Sequence, residues 1–292
     1  MTFDVEVNNL SLYYNDFAAL NDLSFKLKGG KIHGLLGRNG AGKTSLLTLL
    51  ASYRQATEGS IKIAGENPFE NAGIMQHVAF HYETDYNDEW DTVKTILKHV
   101  ERYRPYYDRD YALYLVNRFN LPLKKPINKL TRGMQSAFEI TMGLASRAPV
   151  TIFDEIYLGM DAPAREIFYK EMLKDQAEHP RTIILSTHLV SEMDYLFDEV
   201  LMIDHGKFVL HEDYESLISK GASITGPKVE VDAFVDDLTL LNEKYLGNTK
   251  SVTIYGNLDD ARRKAAQQKG LEVGPVSLQD LFIHLTSEGG LA

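Results

Sequence analysis

The chain has 292 residues, of which 44% are hydrophobic and 25% are charged, so its composition is that of one or two globular domains rather than a disordered segment. Its formal net charge is −10, which argues against a protein that coats nucleic acid, because neutralising phosphates requires a clustered excess of lysine and arginine. It contains no cysteine, which excludes disulfides and cysteine-ligated metal sites.

Neither export nor a membrane span is expected. The stretch MTFDVEVNNLSLYY carries acidic residues where a signal peptide has basic ones. No segment approaches the ~18 apolar residues of a transmembrane helix. If the protein acts at a membrane, another chain must supply the span.

The first elements predicted along the chain are strands followed by a glycine-rich loop and a helix. Alternation over residues 3–13 predicts a strand, and LSFKL at 23–27 predicts a second. IHGLLG then reads as a short buried strand ending in glycine. KTSLLTLLASY, residues 43–53, has the apolar spacing of a helix.

The loop between this strand and this helix predicts phosphate binding. It fits G-x-x-x-x-G-K-[ST], in which glycines let backbone N–H groups turn inward toward phosphate oxygens at a helix N-terminus. Lys43 can reach the β- and γ-phosphates, and the Thr44 hydroxyl can hold Mg²⁺. A glycine-rich turn that only caps a helix is the alternative. The predicted nucleotide-binding residues here are Gly37, Arg38, Asn39, Gly40, Ala41, Gly42, Lys43, Thr44 and Ser45. We expect the side chain of Arg38 to be solvated.

Two further regions precede the next strand pair. Residues 83–91, ETDYNDEWD, carry five carboxylates and no cation. From about Val93 to Leu121 the periodicity is helical and rich in tyrosine, and another helix is expected from about Met134 to Ser146.

A strand ending in two carboxylates predicts hydrolysis as well as binding. PVTIFDE at 149–155 is apolar until Asp154 and Glu155, whose side chains alternate in direction. Asp154 can enter the magnesium shell, and Glu155 can polarise a water at the γ-phosphate. A pair of carboxylates that is merely solvated is the alternative. TIILSTH at 182–188 is another strand, and EVLMIDHGKFVL predicts a hairpin over His205-Gly206. Strands alternating with helices predict an α/β domain with a largely parallel sheet.

A domain boundary is expected near residues 219–227, SKGASITGP, where small and turn-forming residues cluster. This divides the chain into 1–220 and 221–292. The second part contains VEVDAFV, SVTIYG, a helix from about Asp259 to Lys269, and SLQDLFIHL. It reads as a small α/β appendage.

Two more motifs distinguish between families of P-loop proteins. LTRGMQ at 130–135 begins a helix, STH at 186–188 ends a strand, and Asp161 follows Gly159-Met160. With the motifs above, residues 1 to about 220 resemble the nucleotide-binding subunit of ATP-binding cassette (ABC) transporters. The resemblance implies a P-loop NTPase with a RecA-like core, an antiparallel β subdomain, a helical subdomain at about 93–146, and the appendage.

In such proteins two subunits pack head to tail around ATP and Mg²⁺. The resemblance therefore implies that Thr131, Gly133 and Met134 face the γ-phosphate bound by the other subunit. It implies that Asp161 also belongs to the nucleotide site. It further implies catalytic roles for Glu155, His188 and Lys43.

The adenine contact implied by the resemblance is Tyr14, with Tyr13 as the fallback. A Tyr-Tyr pair that only packs within a strand is the alternative.

The chain departs from the family pattern at several positions. Glu83 stands where glutamine is usual, and its carboxylate can still ligate Mg²⁺ beside Thr44 and Asp154. Arg132, Met134 and Ile156 replace a glycine, a glutamine and a proline. None of these changes removes the catalytic candidates, so we expect an active site.

The segment DEIYLGMDAPAREIFYKEML and the closing SLQDLFIHLT look like bacterial exporter ATPases of the Ytr and phenol-soluble-modulin types. This likeness implies a peptide or antibiotic-like amphiphile as cargo and an integral membrane permease as partner. It implies a second ATPase subunit, identical or related, and a peripheral position at the cytoplasmic face of the membrane. No nucleic acid is expected as a partner.

Two other classes of function compete. A soluble ABC ATPase acting on ribosomes or DNA usually has two cassettes or a long coiled coil, which this chain lacks. A nucleotide-gated regulatory module without transport would need no catalytic base, whereas Glu155 is present.

Three remaining groups have competing interpretations. The acidic run 83–91 either receives a basic docking helix of the membrane partner or is a solvated loop. Five tyrosines at helical spacing either stack on a ligand or, as we expect, pack within the subdomain: Tyr103, Tyr106, Tyr107, Tyr111 and Tyr114. The histidines other than His188 do not pair at metal-ligand spacing, so we expect no metal site among them.

Overall fold

The computed structural model describes residues 3–256 and 258–286. Within these residues the chain forms three β-sheets with helices on their faces, and strands and helices are numbered in chain order. The predicted mixed α/β class is confirmed.

The first sheet along the chain is antiparallel and has three strands, in the order β2-β1-β4. Its strands are β1 Val5–Tyr14, β2 Phe17–Leu27 and β4 Glu58–Ile63. The apolar positions of these strands are buried in one cluster with the helix that follows the glycine-rich loop and with one face of the central sheet. The alternation seen in the sequence is therefore that of a sheet with one covered face.

The central sheet has the strand order β5-β6-β7-β3-β8-β9. Its strands are β3 Ile32–Leu36, β5 Val78–Tyr82, β6 Val150–Asp154, β7 Thr182–Thr187, β8 Glu199–Asp204 and β9 Lys207–Asp213. The first five strands in this order are parallel, and β9 runs antiparallel to β8 across the predicted hairpin. Every residue of β3, β6 and β7 is buried, as expected for parallel strands covered on both faces.

The helices lie on both sides of this sheet and in the C-terminal part. They are α1 Lys43–Leu50, α2 Ala72–Met75, α3 Val93–Tyr103, α4 Arg109–Arg118, α5 Arg132–Ser146, α6 Ala162–Glu178, α7 Val190–Met193, α8 Tyr214–Ser219, α9 Lys228–Val235, α10 Asp260–Gln268 and α11 Leu278–Leu285.

The helical stretch expected from Val93 to Leu121 is in fact two helices, α3 and α4. Arg104, which precedes Pro105, is extended with φ −109° and ψ 111°. A residue before proline is disfavoured in the helical region, and proline lacks an N–H donor, so the helix ends there. Asp108 then caps α4 by accepting a hydrogen bond from the Tyr111 N–H.

The segment 219–227, where small residues led us to expect a domain boundary, is for the most part a strand. It forms β10 Gly221–Pro227, a central strand of a second antiparallel sheet with the order β11-β12-β10-β13. The other strands are β11 Leu240–Leu246, β12 Thr249–Tyr255 and β13 Glu272–Pro275. Small residues serve packing here, since a Cβ at Gly226 would lie 2.5 Å from Leu271.

The last helix belongs to the larger core. Leu278, Leu281, Phe282 and Leu285 of α11 are buried in the same cluster as α5, α6 and one face of the central sheet. The sheet containing β10 has a separate small core with α9 and α10. The division of the chain at residue 220 stays a prediction.

In residues 3–256 and 258–286, no helix combines the length and apolar character that crossing a bilayer requires.

Candidate functional site

The glycine-rich loop packs too tightly for side chains at two of its positions. A Cβ at Gly37 would lie 2.8 Å from the Ile203 carbonyl oxygen, and one at Gly42 would lie 2.7 Å from that of Ala19. Gly42 also has φ +100° and caps α1. Only glycine fits this left-handed conformation beside a neighbouring backbone without strain.

A cavity of about 550 Å³ lies against this loop. Its lining is made of the predicted phosphate-loop residues 38–45 together with Tyr14, Phe17, Ala19 and Glu155. A larger cavity of about 730 Å³ lies at the amino ends of the parallel strands and contains none of the predicted site residues. The larger cavity is therefore not the candidate site. The site is the smaller cavity, because the predicted residues converge on it.

Lys43, Glu155 and His188 form one chain of contacts at this cavity. The ammonium nitrogen of Lys43, 6% exposed, donates to the Gly37 carbonyl oxygen at 2.7 Å and lies 3.2 Å from Glu155 Oε1. His188 Nδ1 lies 3.0 Å from the same Oε1. Burial raises the pKa of Glu155, but the His188 hydrogen bond and the Lys43 charge outweigh it and lower that pKa overall. The carboxylate is therefore ionised at neutral pH.

Thr44 and Asp154 meet beside this group. The Thr44 hydroxyl donates to Asp154 Oδ2 at 2.7 Å. Ser186, the register partner of Asp154 on β7, donates to Oδ1. Ser186 was predicted only as part of the STH motif, although its position at the end of a neighbouring strand indicates a place beside Asp154. It orients the carboxylate that Thr44 contacts.

Glu155 has an unusual backbone conformation. Its φ is +49°, in the left-handed region. This conformation costs a residue other than glycine about 1 kcal/mol of backbone strain. The following 3₁₀ helix, Ile156–Gly159, is anchored where the buried Tyr157 hydroxyl donates to Thr187 at 2.5 Å. The anchored turn holds the Glu155 side chain toward Lys43 and His188.

A second group of predicted residues lies together elsewhere. Thr131, Gly133, Met134 and Asp161 line a cavity of about 610 Å³ that shares no residue with the cavity at the glycine-rich loop. The Thr131 hydroxyl accepts from the Met134 N–H at 3.3 Å and caps α5. Asp161 caps α6 through the Ala164 N–H at 3.0 Å. Each cap fixes the first turn of its helix.

Glu83, which was predicted to bind Mg²⁺, forms an ion pair in this structure. Its carboxylate pairs with the Arg132 guanidinium, and both side chains are more than 60% exposed. It does not line the cavity that contains Lys43 and Thr44. An exposed pair of this kind is worth about 0–1 kcal/mol. The role of Glu83 in binding Mg²⁺ stays a prediction.

Tyr14 lines the cavity at the glycine-rich loop, and Tyr13 does not. The Arg54 guanidinium carbon lies 4.6 Å from the centroid of the Tyr14 ring. Phe17, at the start of β2, also lines the cavity and is 66% exposed. Phe17 was not among the predicted site residues, and its exposed ring is a second surface on which a base could stack.

The side chain of Arg38 is exposed, as expected, but it also contacts the C-terminal segment. Its Nε donates to the Thr286 hydroxyl at 3.3 Å, and its Nη2 lies 3.5 Å from the Ile283 carbonyl oxygen of α11. The phosphate loop therefore contacts the last described helix of the chain.

The five tyrosines differ in their surroundings. Tyr107 and Tyr111 are half-buried, and burial raises the pKa of both hydroxyls. Tyr114 is 41% exposed and donates to Glu171 at 2.9 Å. Tyr103 is 74% exposed, so the expectation of packing was wrong for that residue. The expectation of no clustering among the other histidines was also wrong, since His33 and His211 meet at Glu199.

Residues 20–157 match the family model described as ABC transporter. Over this segment, which contains the glycine-rich loop, Asp154 and Glu155, the chain is similar to ABC transporter ATP-binding proteins. The ABC ATPase domain that the motifs predicted is therefore found in residues 20–157.

Its curated relatives include ABC transporter ATP-binding proteins of bacteria. YtrB of Bacillus subtilis is 26% identical over 214 residues, which cover 73% of this chain and 73% of YtrB. YcbN of the same organism is 27% identical over 317 residues and the full length of both chains. Nod factor export ATP-binding protein I of Sinorhizobium fredii is 27% identical over 97% of this chain and 85% of its own length.

Solved structures support the fold. An ATP-binding subunit of an ABC transporter superposes with a TM-score of 0.65 at 22% identity, covering 73% of this chain and 91% of its own. A dimeric post-hydrolysis state of the cassette MJ0796 bound to ADP and Pi gives 0.61 at 18% identity, covering 72% and 98%. The predicted ABC ATPase fold is thus confirmed.

Proposed function

We propose that this ABC ATP-binding subunit pairs head to tail with a second ATPase subunit, hydrolyses ATP between them, and drives a separate integral membrane permease. The partner ATPase is a second copy or a related chain. The protein then works as a peripheral subunit at the cytoplasmic face of the membrane.

The observation that supports this most is the division of the site residues into two groups. One cavity is lined by Lys43, Thr44 and Glu155, and another is lined by Thr131 and Met134. Within the described residues, the two linings have no member in common. A second chain that brings its own Thr131 group to the Lys43 group would complete the site.

The N-terminus of α5 suits a phosphate of that partner. The first N–H groups of a 15-residue helix point outward there, and a helix N-terminus attracts anions. Each charge-assisted hydrogen bond to a phosphate contributes about 1.5–3 kcal/mol. Losing the γ-phosphate would remove such contacts and allow the two subunits to separate.

The residues at the nucleotide cavity fit Mg²⁺. The Thr44 hydroxyl and the Asp154 carboxylate are hard oxygen donors 2.7 Å apart, the donor type that Mg²⁺ prefers. Magnesium supplies charge neutralisation on phosphate oxygens. The remaining work falls to this chain: Lys43 contacts the phosphates, Glu155 accepts a proton from the attacking water, and His188 orients Glu155 and contacts the γ-phosphate.

Glu83 is proposed as a third oxygen ligand once it leaves Arg132. Because the exposed pair is worth at most about 1 kcal/mol, nucleotide and Mg²⁺ can outcompete it. We expect Glu83→Ala to raise the Mg²⁺ concentration needed for half-maximal ATP hydrolysis by a few fold. Asp88→Ala, which removes an exposed carboxylate from the same acidic loop, serves as the matched control. Equal Mg²⁺ requirements in the two variants would show that Glu83 pairs with Arg132 and does not bind Mg²⁺.

The membrane partner is proposed to dock at the acidic run 83–91. Most residues of this loop are exposed, including Trp90 at 67%, and Lys129 lies over the Trp90 ring at 5.1 Å. Carboxylates around an exposed aromatic ring form a surface to which a basic amphipathic helix can bind. By likeness to exporter ATPases, the permease recognises the cargo, a peptide or an antibiotic-like amphiphile.

Isolation of the tagged chain from its native membranes tests this proposal. A multispan membrane protein and a second ATPase subunit should copurify. Reversing Asp85 and Asp88 to lysine should weaken that association at least tenfold, whereas reversing the exposed Glu230 and Asp236 should leave it intact. Recovery of the chain without a membrane protein would favour the alternative, a nucleotide-gated regulatory module.

A further inference from the structure

A cluster of two histidines and a glutamate lies at the end of the central sheet away from the glycine-rich loop. In the register of β3 and β8, His33 lies directly beside Glu199. On β9, His211 is the partner of Leu201, two residues beyond Glu199. Side chains two residues apart on a strand point to the same face, so all three residues share one face of the sheet.

The distances within this cluster match those of a metal site. His33 Nδ1 lies 3.4 Å from Glu199 Oε2, and His211 Nε2 lies 3.0 Å from the same oxygen. All three donor atoms lie within 4.8 Å of one another. A tetrahedral Zn²⁺ with bonds of about 2.0–2.2 Å requires donor atoms about 3.4 Å apart. Binding an ion therefore needs only small movements of these side chains.

The tautomer of His33 leaves a donor nitrogen free to bind. Its Nε2 lies 2.9 Å from the Lys28 carbonyl oxygen, an acceptor that requires the proton on Nε2. Its Nδ1 is buried and makes no hydrogen bond, although the residue is only 1% exposed. A metal-ligating histidine usually donates one ring N–H to a carbonyl or carboxylate and binds the ion through its other nitrogen, and His33 has this arrangement with Nδ1 left for an ion.

Glu199 presents one oxygen to the two rings. Its Oε1 is held by the Lys31 ammonium at 2.6 Å, which leaves Oε2 for the histidines. Glu199 is 6% exposed, so this carboxylate is taken out of water by the fold. Lys31 fixes the carboxylate and restricts it to binding an ion through a single oxygen.

We propose that His33, Glu199 and His211 bind one Zn²⁺ ion, with water as the fourth ligand. Two imidazoles and a carboxylate are a donor set for borderline divalent ions, whereas Mg²⁺ prefers oxygen donors alone. The ion would tie β3 to the β8–β9 hairpin. It would be independent of Mg²⁺ at Thr44 and Asp154, which lie at the carboxyl ends of β6 and the phosphate loop.

Metal titration of the full-length protein tests this proposal. The protein is stripped with a chelator and kept without nucleotide in excess Mg²⁺, which occupies oxygen sites. We expect Co²⁺ to bind one ion per chain with visible absorption bands of nitrogen and oxygen ligation, and Zn²⁺ to displace it. At a hundredfold excess of Zn²⁺ over its dissociation constant, the melting temperature should rise by about 5 °C or more.

A pair of variants assigns the ion to this cluster. His211→Gln should weaken Zn²⁺ binding by at least about 100-fold, since outer partners alone contribute 10–100-fold. His205→Gln removes an exposed histidine from the same hairpin and should leave binding unchanged. Failure of the wild-type chain to bind Zn²⁺ would overturn the proposal, whether or not the variants fold. Equal binding by the wild type and a folded His211→Gln variant would also overturn it.

Discussion

Glu155→Gln is expected to slow ATP hydrolysis by about 10²–10⁴-fold while ATP binding is retained. The amide keeps the shape of the side chain and can still contact Lys43 and His188, which lie 3.2 Å and 3.0 Å from Glu155 Oε1. It cannot accept the proton of the attacking water. Removing a negative charge near the γ-phosphate also removes a repulsion, so the affinity for ATP should be equal or higher.

Single-turnover hydrolysis and nucleotide binding, measured on the same preparation, separate these two effects. Glu166→Gln is the matched control, because Glu166 is an exposed carboxylate on α6 that pairs with Lys170. The control should hydrolyse ATP at the native rate. If Glu155→Gln also did so, another residue would be the base.

Lys43→Ala is expected to abolish turnover and to weaken ATP binding by about 10–100-fold. The physical reason is the loss of at least one charge-assisted hydrogen bond to phosphate, worth about 1.5–3 kcal/mol. Lys43 is buried at 6% exposure and held by the Gly37 carbonyl oxygen, so its ammonium is already positioned above the loop. Little ordering is needed when the nucleotide binds.

Calorimetric titration with ATP measures this loss, and thermal unfolding verifies that the variant is folded. Lys62→Ala, which removes an exposed lysine from β4, is the control and should bind ATP with native affinity. Native ATP affinity in Lys43→Ala would contradict the assignment of the loop to phosphate.

The sequence predicted the parts of the site that depend on neighbours along the chain. Gly37, Gly42 and Lys43 lie within one loop, and their spacing follows from the geometry of a backbone that turns before a helix. Asp154 and Glu155 end an apolar strand, and in a parallel sheet such ends converge on the loop. Local sequence patterns were therefore enough to predict that Thr44 and Asp154 lie close together.

Contacts between distant residues were not predictable in this way. Arg38 meets Thr286 of the C-terminal segment, and Glu83 meets Arg132 across a loop and a helix. His33 and His211 meet only because β3 and β9 both flank β8. The small residues before Pro227 indicated a boundary and not a strand, because a sequence does not reveal that Leu271 packs against Gly226. Tertiary packing decided each of these cases.

The oligomeric state of Glu155→Gln, measured by light scattering with and without ATP, tests the proposed shared site most directly. ATP should convert the variant from one chain to two, because hydrolysis no longer removes the γ-phosphate that holds the subunits together. Adding Met134→Glu, which places a carboxylate at the start of α5, should block that conversion by repelling the phosphate. The measurement is made on the variant alone and mixed with the ATPase subunit that copurifies with it. A variant that stays a single chain in both samples while its phosphate loop is saturated with ATP would contradict the account.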